Sequence, residues 1–135
     1  MCRILMSIKP KYSEKIFSGE KKYEFRRKVS KQNVERIIVY SSSPEKCVIG
    51  EVEVLGIICK PIKELWRITK EFAGIEFDDL NMYFSGCEKA YAYELGKVKR
   101  YKKPKRLSDF DISFSPQSYV YISWFTILEI TKWIT

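Results

Sequence analysis

The fifteen residues Lys46 to Lys60, "KCVIGEVEVLGIICK", constrain the fold more than any other stretch. They are rich in β-branched side chains and hold no proline, so they read as strand. A strand of that length in a small domain has to bend, and Gly50 and Gly56 stand where bulges or corners would fall. Other segments supply partners. Arg3 to Lys9, "RILMSIK", reads as a short and mostly buried strand. "VERIIVYSSSP" is a strand running into a Ser/Pro turn at Ser41 to Pro44. "KAYAYELGKVKRY" is a strand with Tyr91, Tyr93 and Leu95 on one side, and Tyr119 to Ile122 closes the set.

Helical signals interrupt these strands. Pro10 suits a helix entrance, Tyr12, Ile16 and Phe17 recur at helical spacing, and Gly19 stands where a glycine ends a helix. Pro61 opens a second helix whose apolar stripe is Ile62, Leu65, Trp66, Thr69 and Phe72, ending near Gly74. "FDDLNMYFSG" reads as a third, shorter helix closing at Gly86. Strands with inserted helices, without strict β–α alternation, predict an α+β fold built as a small curved or closed barrel. Residues 1–122 form one domain in this reading, and 123–135 form an apolar C-terminal extension. In that extension Trp124, Phe125, Leu128 and Trp133 suggest a packing or homodimer surface. Glu129 and Lys132 interrupt it too soon for a membrane span, and the N-terminus has no long apolar core of a signal peptide, so a cytoplasmic location is expected.

Charge narrows the class of partner. Lys and Arg total 25 against 17 Asp and Glu, a net charge of +8, which favours a polyanion such as RNA or a nucleotide. Seven of the ten residues from Lys97 to Arg106 are basic. Lys99, Arg100, Lys102 and Lys103, with Tyr101 among them, are candidates to track phosphates; a solvated loop is the plain reading of the same residues. Four isolated cysteines (Cys2, Cys47, Cys59 and Cys87) lack any metal-binding spacing and read as buried reduced thiols. The chain has no histidine, which excludes Ser-His-Asp, Cys-His and histidine-based RNA cleavage chemistry. No cofactor and no metal is expected.

One further stretch raises the question of function. "SGEKKYEFRRK", Ser18 to Lys28, alternates, with Tyr23 and Phe25 facing one way and Lys22, Glu24 and Arg26 the other. Glu24 and Arg26 would stand about 6.6 Å apart on one face. There they form either a surface ion-pair ladder or a polar cleft in which Glu24 accepts a proton or a base's amino hydrogen and Arg26 binds phosphate. Lys21 falls on the opposite face of a plain strand and joins them only from the turn after Gly19, or across a bulge.

The residues Gly19, Lys21, Glu24 and Arg26 match a GxKxxExR signature, and the chain thereby resembles the ASCH domain family of the PUA-like superfamily. The likeness extends through "LMSIKPKYSEKIFSGEKKYEFRR", "IVYSSSPEKCVIGEVEV", "YAYELGKVKRYKKP" and "SPQSYVYI", so it covers about Ile4 to Ile122 and is similar to the small stand-alone ASCH proteins of prokaryotes and their viruses. The resemblance implies a PUA-like β-barrel with helices packed round it and an RNA-binding cleft carrying Lys21, Glu24 and Arg26. It implies that Ser7 to Pro10, Ser41 to Ser43 and Pro116 to Ser118 border that cleft, which makes Lys9, Ser42 and Gln117 candidate contacts. Small ASCH enzymes that deacetylate acetylated cytidine use a lysine, a threonine three residues on and a separate glutamate. Lys21 matches the lysine, Glu24 occupies the threonine's place, and no residue matches the glutamate. Lys21 and Glu24 would be the catalytic pair of such an amidohydrolase, or of a ribonuclease, since some ASCH members are described as ribonucleases.

Overall fold

The structure, a computed structural model, describes residues 2–122, so the expectation of a dimer surface in the extension lies outside the described residues. Six strands alternate irregularly with helices: β1 (Cys2–Ile8), α1 (Pro10–Ser18), β2 (Tyr23–Arg26), β3 (Val34–Ser41), β4 (Cys47–Lys60), α2 (Ile62–Thr69), α3 (Phe77–Tyr83), β5 (Ala90–Lys105) and β6 (Tyr119–Tyr121). Short 3-10 turns cover Lys70–Phe72 and Leu107–Phe110. The strands form one mixed sheet in the order β2-β5-β4-β3-β1-β6, in which β1 and β3 run parallel and the other neighbours antiparallel.

The sheet is strongly curled. β2 and β1 are separated by three strands, which in a flat sheet would hold them about 19 Å apart. Yet Arg26 of β2 donates a 2.8 Å hydrogen bond to the backbone oxygen of Ser7 in β1. Ser30, just past β2, shares a 2.8 Å hydrogen bond with the Tyr121 hydroxyl on the opposite edge strand. No described ladder joins β2 to β6, so the outcome is a curled half-barrel. Two of its bends fall at the expected glycines: the β4 register slips between Val48 and Gly50 and between Val54 and Gly56, with a further slip between Val52 and Val54. At Gly50 a Cβ would collide with the Lys99 carbonyl and the Phe17 ring, so only glycine lets β5 and α1 close over that corner.

Curling buries β1 and β3 on both faces. Ile4, Met6 and Ile8 join Ile37, Val39, Ile16 and Tyr93 in one core cluster. The alternate residues Leu5, Ile38 and Tyr40 join Val48, Tyr101, Phe110 and Ile122 in another. That is why these strands read as continuous apolar runs. A third cluster seats α2 and α3 through Leu65, Leu80 and Phe84 on Phe25, Ala90 and Ala92.

Three expectations need correction. The basic run is not a loop: β5 continues through Lys105, held against β4 by pairs from Val52↔Val98 to Val48↔Lys105. The strand expected from the sequence stops at Tyr101; Lys102, Lys103 and Pro104 beyond it are all exposed, so no alternation of burial extends it. Phe72 is a surface residue at 37% exposure, lying beneath the Lys22 ammonium at 4.3 Å, and Trp66 is half-buried against Phe77. Cys59 is exposed, whereas Cys2, Cys47 and Cys87 are half-buried. Among the described residues no helix is long and apolar enough to cross a membrane, and no three Cys, Asp or Glu side chains gather as a metal site would require.

Candidate functional site

The site begins with a helix terminus. Gly19 takes the left-handed conformation (φ 88°) that ends α1, and its N–H caps the Ile16 carbonyl. The chain then turns through residues 20–22, fixed by Lys21 N–H to the Lys15 carbonyl at 3.0 Å and Lys22 N–H to the Phe72 carbonyl at 2.9 Å. β2 starts only at Tyr23, so Lys21 lies in the turn and swings inward to join the charged pair. Lys22, grouped with that pair by alternation, is exposed instead.

Lys21 is 3% exposed. Its stem crosses Gly74, where a Cβ would lie 2.6 Å from the Lys21 Cβ. Its ammonium donates to the Ala73 carbonyl at 2.8 Å and stands 4.7 Å from the Phe25 ring centre and 5.4 Å from that of Tyr12. Burial pushes its pKa down to about 8, against the opposing pull of Glu24. Glu24, itself buried, holds Arg26 through one oxygen: Oε2 accepts from Nη2 at 2.8 Å and from Nε at 3.2 Å. Oε1 lies 4.0 Å from the Lys21 nitrogen. Lysine, glutamate and arginine thus converge, with Arg26 tied on to Ser7 of β1.

These three line a cleft of about 830 Å³. One wall is Tyr12 and Lys11 of α1 with Ser7 to Lys9 before it; the other is Asp79, Leu80, Met82 and Tyr83 of α3 with Arg27 beside them. The mouth carries Ser42, Ser43 and Lys46 of the β3–β4 turn together with Ser115 to Gln117. Ser7 fastens that last segment, its hydroxyl donating to the Pro116 carbonyl at 2.6 Å and its N–H to the Ser118 carbonyl at 3.1 Å. Of the candidates, Lys9, Lys21, Glu24, Arg26, Ser42 and Gln117 all line this one cleft. Ser41 does not: it is buried and its hydroxyl pairs with that of Ser13 at 3.0 Å. Lys99, Arg100, Lys102 and Lys103 lie outside the cleft, exposed on β5, and Arg100 is engaged with Glu14 at 3.3 Å and with the Phe17 ring at 5.0 Å.

Several lining residues escaped the sequence reading. Phe25, assigned to the face away from Glu24, lines the cleft as well, because β2 is an edge strand and both of its faces reach the opening. Tyr40 and Ser115 share a 3.2 Å hydroxyl–hydroxyl hydrogen bond across 75 residues of sequence. Lys46 reaches the same cleft from a left-handed turn position (φ 51°). Only the turn composition hinted at Lys46, and nothing in the sequence linked Tyr40 to Ser115. Balance of charge favours an anion: Lys9, Lys11, Lys21, Arg26, Arg27 and Lys46 face Glu24 and Asp79.

Comparison with known proteins places this geometry. A family model described as the ASCH domain matches residues 6–106. The chain is 33% identical over 92 residues to an ASCH domain-containing ribonuclease of Zymomonas mobilis, covering 67% of this chain and 62% of that protein. It is 29% identical over 120 residues to a Ureaplasma parvum protein named large ribosomal subunit protein uL22, covering 88% of this chain but 39% of that one. The chain therefore spans well under two thirds of the length of that relative. Its fold superposes on the crystal structure of ASCH from Zymomonas mobilis with a TM-score of 0.89 at 26% identity, over 98% of this chain and 96% of that one. Crystal structures of a tyrosine-to-phenylalanine and a serine-to-alanine variant of the Zymomonas protein match with TM-scores of 0.89 and 0.88, each at 25% identity and 98% of this chain, covering 99% and 96% of theirs. With the lysine, glutamate and arginine of the GxKxxExR signature lining one cleft, the chain belongs to the ASCH domain family.

Proposed function

We propose that this ASCH domain binds RNA, or a nucleotide, in the cleft floored by Lys21, Glu24 and Arg26. The observation that carries the reading is this buried, positively biased recess with cations at its mouth that have no partner of their own. Lys9 and Lys46 make no ion pair among the described residues, so a phosphate reaching them displaces only water and counterions. Ser42 and Ser43 stand beside them with hydroxyl donors. Lys99, Lys102 and Lys103 on β5 add a second, sequence-independent contact for a longer strand.

The test is fluorescence anisotropy of labelled single-stranded RNA with the full chain at several salt concentrations. Wild type should bind with a negative salt dependence, and Lys9→Ala and Lys46→Ala should each flatten the log–log slope by about 0.7. No binding at low salt, or slopes unchanged in both variants, would refute the cleft as the site.

A second reading, ribonuclease, is favoured by one observation. The Tyr40–Ser115 hydroxyl pair lines the same cleft as Lys46, one Zymomonas mobilis relative bears the ribonuclease name, and an ASCH protein of Zymomonas mobilis has been crystallised with a tyrosine and a serine altered one at a time. Without histidine, the 2′-hydroxyl proton would pass to a carboxylate or a neutral lysine of the cleft, with the hydroxyl pair relaying it or steadying charge on the phosphate oxygens. Shortened products from end-labelled RNA, lost in Tyr40→Phe and Ser115→Ala while binding persists, would establish it; intact RNA with wild type would remove it. The amidohydrolase reading keeps its lysine, but Glu24 stands where a hydroxyl nucleophile is needed and is already gripped by Arg26.

A further inference from the structure

The inner end of the cleft holds two unfinished hydrogen-bonding groups side by side. Glu24 spends one oxygen on Arg26; its Oε1 accepts no hydrogen bond from any described residue. The Lys21 ammonium gives one N–H to the Ala73 carbonyl and has two left. The two groups stand 4.0 Å apart, too far to satisfy one another, and both are nearly buried, with side-chain exposures of 3% and 8%. Arg26 cannot turn to fill the gap, because its Nη2 is shared between Glu24 and the Ser7 carbonyl. Oε1 opens to the cleft, so a ligand that displaces water from it has to bring a donor for Oε1 and an acceptor for Lys21 Nζ.

The chemistry of that ligand follows from the pair. A phosphate offers acceptors alone; it would satisfy Lys21 and be repelled by Glu24. A nucleobase offers, on adjacent atoms of its Watson–Crick edge, one donor and one acceptor. The rings of Phe25 and Tyr12 flank the same place and provide apolar faces for it. Lys9 and Lys46, which make no ion pair among the described residues, line the same cleft from exposed positions. We propose that the inner end of the cleft reads the Watson–Crick edge of one unpaired nucleobase through Glu24 Oε1 and Lys21 Nζ, with the phosphate held at the mouth. The inference rests on the RNA-binding reading above and narrows it: a base already paired in a duplex has no free edge to offer, so the ligand is single-stranded at this nucleotide.

Glu24→Gln tests the assignment, because Arg26 demands an oxygen. The amide therefore turns its oxygen to Arg26 and its NH₂ to the position of Oε1, converting an acceptor in the cleft into a donor. Binding of the full chain is measured against single-stranded rA10, rC10 and rU10, an abasic ribose-phosphate decamer, and a duplex. Wild type should bind its preferred homopolymer at least tenfold more tightly than the abasic decamer or the duplex. Glu24→Gln should change the order of preference among the three bases, lower affinity for the best of them about tenfold, and leave the abasic decamer bound no more weakly. RNA bound equally well with and without bases, or a Glu24→Gln variant with the wild-type order, would overturn this inference and leave the RNA-binding reading standing; no RNA bound by wild type would end both. If Glu24→Gln fails to fold by circular dichroism, the wild-type comparison of base-bearing, abasic and duplex ligands decides.

Discussion

Gly74 and Lys21 occupy each other's space: the side chain of Lys21 runs through the volume a Cβ on Gly74 would need, 2.6 Å from its own Cβ. Gly74 also has φ 67°, a conformation other residues resist. The loop after α2 therefore forms the bed on which the site's lysine lies. Gly74→Ala should cost about 1–3 kcal/mol in urea denaturation and displace Lys21, lowering RNA affinity beyond what the stability loss explains. A variant with wild-type affinity and midpoint would show that this contact is slack.

Lys21 gives the cleft a pH dependence. Its pKa in the folded chain is lowered to about 8, so its positive charge fades above that pH. Affinity for RNA should fall between pH 7 and 9, and Lys21→Met should remove that fall. Stability moves the other way. An unfolded lysine near 10.5 holds a proton that the folded one has released, so stability rises with pH between about 8 and 10.5. The difference in unfolding free energy between wild type and Lys21→Met, followed over pH 7 to 10, should therefore shift in favour of wild type as pH rises.

Arg26 is a structural tie as well as a cation. Arg26→Ala removes donors from Glu24 and from the Ser7 carbonyl at once, leaving a buried carboxylate alone with Lys21. A loss of about 2–4 kcal/mol is expected. Arg26→Lys should recover only part of it, since one ammonium cannot reproduce a planar two-nitrogen grip. Equal stability of the lysine variant and wild type by chemical denaturation would contradict the bridging role.

The β5 cations should act through charge alone. Replacing Lys99, Lys102 and Lys103 together by alanine should flatten the salt dependence of RNA binding by about two units and leave the order of base preference untouched. A changed base order would place sequence readout on β5.

How far the sequence revealed this arrangement depends on the range of the interactions. Local signals held. Gly19 ends α1, Lys21 sits in the turn behind it, and Gly50 and Gly56 mark two of the three slips of β4 against β5, because each is decided by backbone conformation within a few residues. Parity along β2 put Tyr23 and Phe25 in one cluster but failed for Lys22, which stands before the strand begins, where alternation no longer governs. The far wall of the cleft was out of reach. Ser7 meets Arg26 only because the sheet curls, whereas Ser7 meets Pro116 and Tyr40 meets Ser115 because the segment entering β6 returns beside β1, and no periodicity in the chain encodes either approach. The last stretch of the basic strand was hidden for the opposite reason: with residues 102–104 all facing solvent, it lacks the burial pattern by which strands are recognised.

Amide chemical-shift mapping is the most direct test of the cleft itself. When a short single-stranded RNA is titrated into isotope-labelled protein, the largest changes should fall on residues 7–9, 21–26, 42–46 and 115–117, four segments joined only by the folded cleft. Changes confined to residues 97–106, or scattered over the surface without these segments, would contradict the account.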